Sequence, residues 1–251
     1  MNEKDHERLN INRFAELAER ARRSGRYCYS SFHSPAGASD AYKAAAEREI
    51  SLWGGAPGCE RVMVRFGDSE DLGYKEEFPI RVLHVSPAQE KFAESLSHRD
   101  YLGAILNLGI ERDVIGDILV RDKSAYVFVA EEMADYITSG LERVRHTNVK
   151  VKPAGKLPED MLPKLKEEAV TVSSPRLDAV LSKLLQLSRG EAKNLFDAEK
   201  VTVNGRLCRN PETLLKEECG ISVRGYGRFE YMGEMSETKK GKMRVSIRRY
   251  V

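Results

Sequence analysis

The strongest constraint on the fold is a short run near the C-terminus, Val201-Thr202-Val203-Asn204-Gly205-Arg206-Leu207. β-Branched residues flank an Asn-Gly pair, and both turn residues accept the positive φ that a two-residue hairpin requires. Two helix starts precede this hairpin. Ser174-Pro175 supplies a cap followed by proline at the first helical position, with Leu177, Val180, Leu181, Leu184 and Leu185 as the buried stripe. Ser188-Arg189-Gly190-Glu191 is a capping box whose helix turns Ala192, Leu195 and Phe196 inward. Further strands are expected over Gly220 to Tyr231 and over Met243 to Tyr250, where Met243, Val245 and Ile247 alternate with Arg244, Ser246 and Arg248. Local chemistry therefore specifies two short helices followed by an antiparallel sheet.

Charge is distributed unevenly around that framework. The 251 residues carry 41 Lys and Arg against 39 Asp and Glu, a net charge of +2. From Ser173 onward there are 16 cations against 10 acids, a surplus of 6, which leaves 25 against 29, or −4, for the rest. A basic final third points to a polyanionic partner. Arg176, Arg189 and Lys193 lie at or near the two helix starts, where unpaired amides and the positive dipole end favour phosphate. The hairpin adds Asn204, Gly205, Arg206 and Arg209, and the next strand adds Arg224 and Arg228. These groups, with Ser188, are expected to gather on one face as a phosphate-binding surface.

Upstream, Ile11, Phe14, Leu17, Ala18 and Ala21 predict a helix over Asn10 to Arg23. Ser39 is expected to cap a second helix, Asp40 to Leu52, stopped by Gly54-Gly55-Ala56-Pro57-Gly58, and Arg61 to Phe66 alternates like a strand. The middle of the chain reads as strand Ile80–Val85, helix Ser97–Leu108, strands Asp117–Arg121 and Ala125–Ala130, helix Met133–Leu141 and strand Thr147–Val151. That βαββαβ order makes a ferredoxin-like split sheet with both helices on one face. Pro153 to Lys166, with three prolines, reads as a linker. The expected fold class is α+β in three parts: a helical N-terminal domain over 1–74, an RRM-like domain over 75–155 and a basic domain over 171–251.

Several function classes find no support. The longest uncharged apolar stretch, Tyr101 to Ile110, is about half a bilayer span, and the first residues lack the apolar core of a signal peptide. A cytoplasmic, monomeric protein without a membrane span is expected. Cys28, Cys59, Cys208 and Cys219 form no Cys-x-x-Cys pair, and the five histidines show no metal-ligand spacing, so no metal and no cofactor are expected. His98-Arg99-Asp100 shares three letters with a kinase catalytic loop but has none of its companion motifs. As a helix start it caps and pairs, or touches RNA through His98 and Arg99, with Arg112 as a further secondary contact. Gly54 to Gly58 lacks the Lys-Ser/Thr of a phosphate loop and reads as a turn. Tyr126 and Phe128 sit where RRM strands carry stacking aromatics, but the first strand has no aromatic partner, and the core reading of the pair is favoured.

The stretch Ser174-Pro175-Arg176-Leu177-Asp178-Ala179-Val180-Leu181, then Ser188-Arg189-Gly190-Glu191-Ala192, Val201 to Arg206 and Ile221-Ser222-Val223-Arg224-Gly225, resembles the S4 RNA-binding domain. The resemblance implies docking of two helices and a hairpin on structured ribosomal or transfer RNA. Glu199 stands where that family usually has glycine, which should strain a turn, and Glu218-Cys219 replaces a usual Gly-Asp. Upstream, Gly54 to Arg61, Leu96 to Ala104 and Asn107 to Val120 are similar to YlmH-type bacterial S4 proteins. That similarity implies an RRM-like domain before the S4 domain, association with the large ribosomal subunit, and a role in rescue of stalled ribosomes or in cell division. The expected function is non-enzymatic RNA binding in translation quality control. The alternatives are an RNA-modifying enzyme anchored by its S4 domain, or a protein-interaction factor linked to cell division.

Overall fold

A computed structural model describes residues 3–46, 49–155, 157–238 and 241–250. The chain divides into two compact units, Met1–Leu162 and Pro163–Val251.

In the first unit, α1 (Glu3–Ser24) buries Phe14, Ala18 and Ala21, as the spacing predicts, and ends before Gly25 at φ +62°. It packs on a small antiparallel sheet of β1 (Cys28–Tyr29), the later strands β2 (Ile50–Trp53) and β3 (Met63–Phe66), in the order β1-β3-β2. The helix expected over Asp40 to Leu52 is replaced by two single turns, α2 (Pro35–Ala38) and α3 (Ala41–Ala44), followed by β2. Glu47 and Arg48, inside the expected helix, lie outside the described residues. Ser39 does not cap a second helix; it ends α2, its hydroxyl donating to the Ala36 carbonyl at 2.7 Å. Pairing of Ile50 with Phe66 and Trp53 with Met63 overrides the helix propensity of the alanine-rich run. A further turn, α4 (Ser69–Leu72), follows with Asp68 as its cap.

The central sheet takes the expected split form. Strands β4 (Ile80–Pro87), β5 (Ile115–Arg121), β6 (Ser124–Ala130), β7 (Arg143–Val144) and β8 (Thr147–Pro153) are ordered β5-β6-β4-β8-β7, all neighbours antiparallel. Helices α5 (His98–Leu106) and α6 (Glu131–Gly140) cover one face, where Tyr101, Ile105 and Ile137 meet Leu83, Val85, Val127 and Val129. Phe128 faces the other side and is fully buried against Phe32, Ala56 and Met63.

The glycine-rich turn before Arg61 is part of this second layer. A Cβ on Gly55 would lie 2.4 Å from the Phe128 ring, and Gly55 holds φ +101°. Arg61 donates to the carbonyls of Phe32 at 2.8 Å, Ile115 at 2.9 Å and Arg112 at 3.2 Å. A bulge between Ile115 and Ile118 lets Asp117 accept from the amides of Glu60 and Arg61. The segments around Gly54 to Arg61 and Arg112 to Asp117 thus lock the N-terminal layer to the central sheet.

The second unit is one antiparallel sheet with two helices on one face. It contains β9 (Leu165–Val172), α7 (Leu177–Leu184), α8 (Arg189–Asp197), β10 (Val201–Val203), β11 (Arg206–Leu207), β12 (Cys219–Val223), β13 (Gly227–Glu237) and β14 (Met243–Tyr250). The order is β11-β10-β12-β13-β14-β9. Leu177, Val180, Leu181, Leu184, Leu195 and Phe196 pack on Ile221, Phe229, Val245 and Ile247. The linker expectation fails at its C-terminal end: β9 begins at Leu165 and pairs with β14 along its whole length. Lys156, within that expected linker, lies outside the described residues.

Candidate nucleic-acid interface

The hairpin forms as its sequence specifies. Asn204 (φ +49°) and Gly205 (φ +76°) make the turn between β10 and β11. The Asn204 side chain accepts from the Gly220 amide at 2.8 Å, and its amide donates to the Gly220 carbonyl at 2.7 Å. Asn204 therefore ties the turn to β12.

At α8 the capping box is complete. Ser188 Oγ accepts from the Glu191 amide at 3.2 Å, and Glu191 accepts from the Ser188 amide at 2.8 Å. The Ser188 hydrogen bond holds the Glu191 carboxyl below its ordinary pKa, so it stays ionised. Arg189 and Lys193 project exposed from this helix. Arg189 has no acidic partner among the described residues, while Lys193 lies within electrostatic reach of Asp178.

The start of α7 differs from the sequence expectation. The helix begins at Leu177 with Arg176 as its cap residue, two positions after Pro175. Its first amides are occupied, because Leu177 donates to the Thr213 carbonyl and Asp178 to the Pro211 carbonyl, both at 2.9 Å. Arg176 pairs with Asp178 at 2.8 Å and with Glu212 at 2.9 Å. Asp178 is buried, which would raise its pKa, yet the Arg176 bonds hold it below the ordinary carboxylate value. Among the described residues, the start of α8 keeps an uncompensated cation, Arg189, whereas that of α7 does not.

The cations do not all share one face. Val203 and Arg206 are paired across β10 and β11, so Arg206 lies on the same side of the sheet as Val203, the helix side. Arg228 pairs with Ser222 on the opposite side and lies over the Tyr250 ring at 4.8 Å. Arg209 is paired to Glu199 at 2.8 Å. Glu199, where the S4 resemblance places glycine, holds φ +52°, and Glu218 holds φ +58°. Both acids therefore sit in strained left-handed backbone. Arg224 is exposed in the turn after β12, its amide bonded to the Lys200 carbonyl. That turn and the Asn204 turn lie at opposite ends of β12.

In the first unit, His98 and Arg99 are exposed at the start of α5, which carries its own capping box from Ser97 and Asp100. Arg112 corrects the expectation of an RNA contact: its guanidinium donates to the Ile115 and Gly116 carbonyls, and burial lowers its pKa. Tyr126 is half-buried and stacked on His84 at 4.7 Å, so the core reading holds for Phe128 alone. Arg143 and Arg145, absent from the sequence reading, line a groove with Arg99. Their alternation in Arg143-Val144-Arg145 was the available signal.

A capped, basic helix pair beside an Asn-Gly hairpin on an antiparallel sheet defines an S4-type nucleic-acid-binding protein. The S4 domain model matches residues 175–218, and the model described as "Putative RNA-binding domain in YlmH" matches residues 74–156. The chain is 30% identical over 177 residues to the ribosome-associated protein quality control protein P2 of Bacillus subtilis (strain 168), covering 70% of this chain and 68% of the relative. It belongs to the YlmH family of S4-domain proteins. The solved cell division protein ylmH from Streptococcus pneumoniae shares the fold with a TM-score of 0.50 at 18% identity, over 61% of this chain and 93% of that one.

Proposed function

We propose that this protein is a non-enzymatic RNA-binding factor that associates with the ribosome, docking α8 and the adjoining turns on structured ribosomal RNA or ribosome-bound tRNA. One observation carries the reading: Arg189 stands exposed and, among the described residues, without an acidic partner at the capped start of α8, beside Lys193. An amide-rich helix end with an added guanidinium suits a phosphate. Similarity to a ribosome-associated quality control protein supports a role in translation quality control; we place that role on the large subunit, in a cytoplasmic monomer. Of the proposed parts at 1–74, 75–155 and 171–251, the matched models overlap the second and third, at 74–156 and 175–218. Among the described residues no helix is long and apolar enough to cross a membrane.

The test is binding of the full chain to an RNA hairpin and to purified large subunits across a salt series. The double variant Arg189→Glu, Lys193→Glu should weaken binding at least tenfold. It should also reduce the slope of log affinity against log salt by roughly 1.4 to 1.8, about 0.7 to 0.9 per phosphate contact. Binding without salt dependence, or unchanged in this variant, overturns the reading.

A further inference from the structure

We propose that the first unit has its own RNA-backbone site, a groove between the start of α5 and the β7–β8 turn in which Arg99 and Arg143 hold phosphates, flanked by Arg145 on its pairing with Asp100. The groove has a volume of about 580 Å³ and collects these three arginines from segments far apart in sequence. Its floor stays open where α5 presents Gly103, where an added Cβ would meet nothing within 4 Å. Arg99 and Arg143 are exposed and have no acidic partner among the described residues. Arg145 is held at φ +50°, 3.6 Å from Asp100, which orients it along the groove wall. Asp100, also in the lining, takes the Ser97 amide at 2.8 Å and the Ser97 hydroxyl at 2.7 Å on one oxygen and Arg145 on the other, so Arg99 and Arg143 are left as the unpaired cations of the groove among the described residues.

Guanidinium groups in a concave strip match phosphate oxygens bidentately, and a groove of this size admits a sugar-phosphate strand. Glu142, also in the lining, offers an acceptor for a ribose 2′-hydroxyl, which favours RNA over DNA. The formal charge of −4 counted before Ser173 therefore conceals a local basic site.

This inference rests on the reading of the chain as an RNA binder, and the experiment separates the two. Full-length protein is titrated with an RNA hairpin, and with a DNA hairpin of the same sequence, over a salt series. The double variant Arg99→Glu, Arg143→Glu is compared with Arg26→Glu, Lys75→Glu, which makes the same charge change at exposed positions outside the groove. The groove variant should lose at least fivefold in RNA affinity and about 1.4 to 1.8 in salt slope beyond the control. Its melting temperature should be unchanged, since an acid at position 99 suits the start of α5. Arg143→Lys should keep the salt slope but lose part of the affinity, since an ammonium carries the charge without the bidentate fork, and the preference for RNA over DNA should shrink in Glu142→Ala. Equal losses in groove variant and control overturn the groove site, and so does absence of any loss. If the Arg189, Lys193 variant still loses affinity in that case, the S4 reading survives the failure of this one. If wild-type protein binds neither hairpin, both fail together.

Discussion

Arg61 and Arg112 of the first unit are put to a different use from Arg176, Arg189, Arg209 and Arg224 of the second. In Met1–Leu162, Arg61 and Arg112 turn inward and satisfy main-chain carbonyls where two layers join. In Pro163–Val251, Arg176 and Arg209 are neutralised at the surface by carboxylates, and Arg189 and Arg224 are left to solvent. A basic residue is therefore a recognition candidate only after its hydrogen bonds have been counted. Buried carbonyls are costly to leave unpaired, so a guanidinium that serves them is not available to a ligand.

The largest test of this contrast is Arg61→Ala. The Phe32 carbonyl would lose its donor, while those of Ile115 and Arg112 would each keep one, from the Arg112 guanidinium and the Ile115 amide, so the first unit should be destabilised by about 3 kcal/mol once the lost packing of the half-buried guanidinium is included. Differential scanning calorimetry of the full chain should show the first unit's transition moving down while the transition of Pro163–Val251 stays. Loss of RNA binding at unchanged stability would instead make the inward arginines functional and break the comparison.

Acid should also act on the first unit selectively. Burial pushes the His33 pKa down from 6.5 to about 4, with Arg13 and Arg61 adding to the effect. Between these values the unfolded chain binds more protons than the folded one, so stability falls as pH drops from 6.5 toward 4 and is unaffected by this group above that range. The loss should reach about 2 to 3 kcal/mol, and His33→Gln should flatten it, as read from melting temperature across a pH series.

Within the second unit, Arg176 and Arg189 sharpen the comparison. Arg176→Ala leaves the buried Asp178 without its ion partner and should lower the melting temperature by a few degrees while changing RNA affinity less than about threefold. Arg189→Ala should do the reverse, weakening RNA binding by roughly three- to tenfold at constant melting temperature. Equal effects of Arg189→Ala on both would show it to be structural. The smallest change is expected from Glu199→Gly, which relieves a left-handed backbone and should stabilise the unit by about 0.5 to 1 kcal/mol. It also frees Arg209 from its acid, so RNA affinity should rise slightly; a fall would assign Glu199 a positive role in binding.

What the sequence determined by itself rests on contacts a few residues apart. The Asn204-Gly205 turn, the Ser188–Glu191 capping box, the apolar stripes of α1 and α7 and the βαββαβ order were all legible because turn φ values, caps and helical spacing are local properties. What tertiary structure alone decided involves partners far along the chain. β9 exists because β14 pairs with it, and β2 because β3 does. Pro175 did not begin α7 because the loop carrying Pro211 and Thr213 supplies the carbonyls that cap it. Arg112 went inward, Arg228 went to the far face of its sheet, and Arg143 met Arg99 across a groove. A residue's type announces its charge, whereas the direction of its side chain is set by sheet register and by which buried carbonyls need a donor, and neither is encoded within a few residues of it.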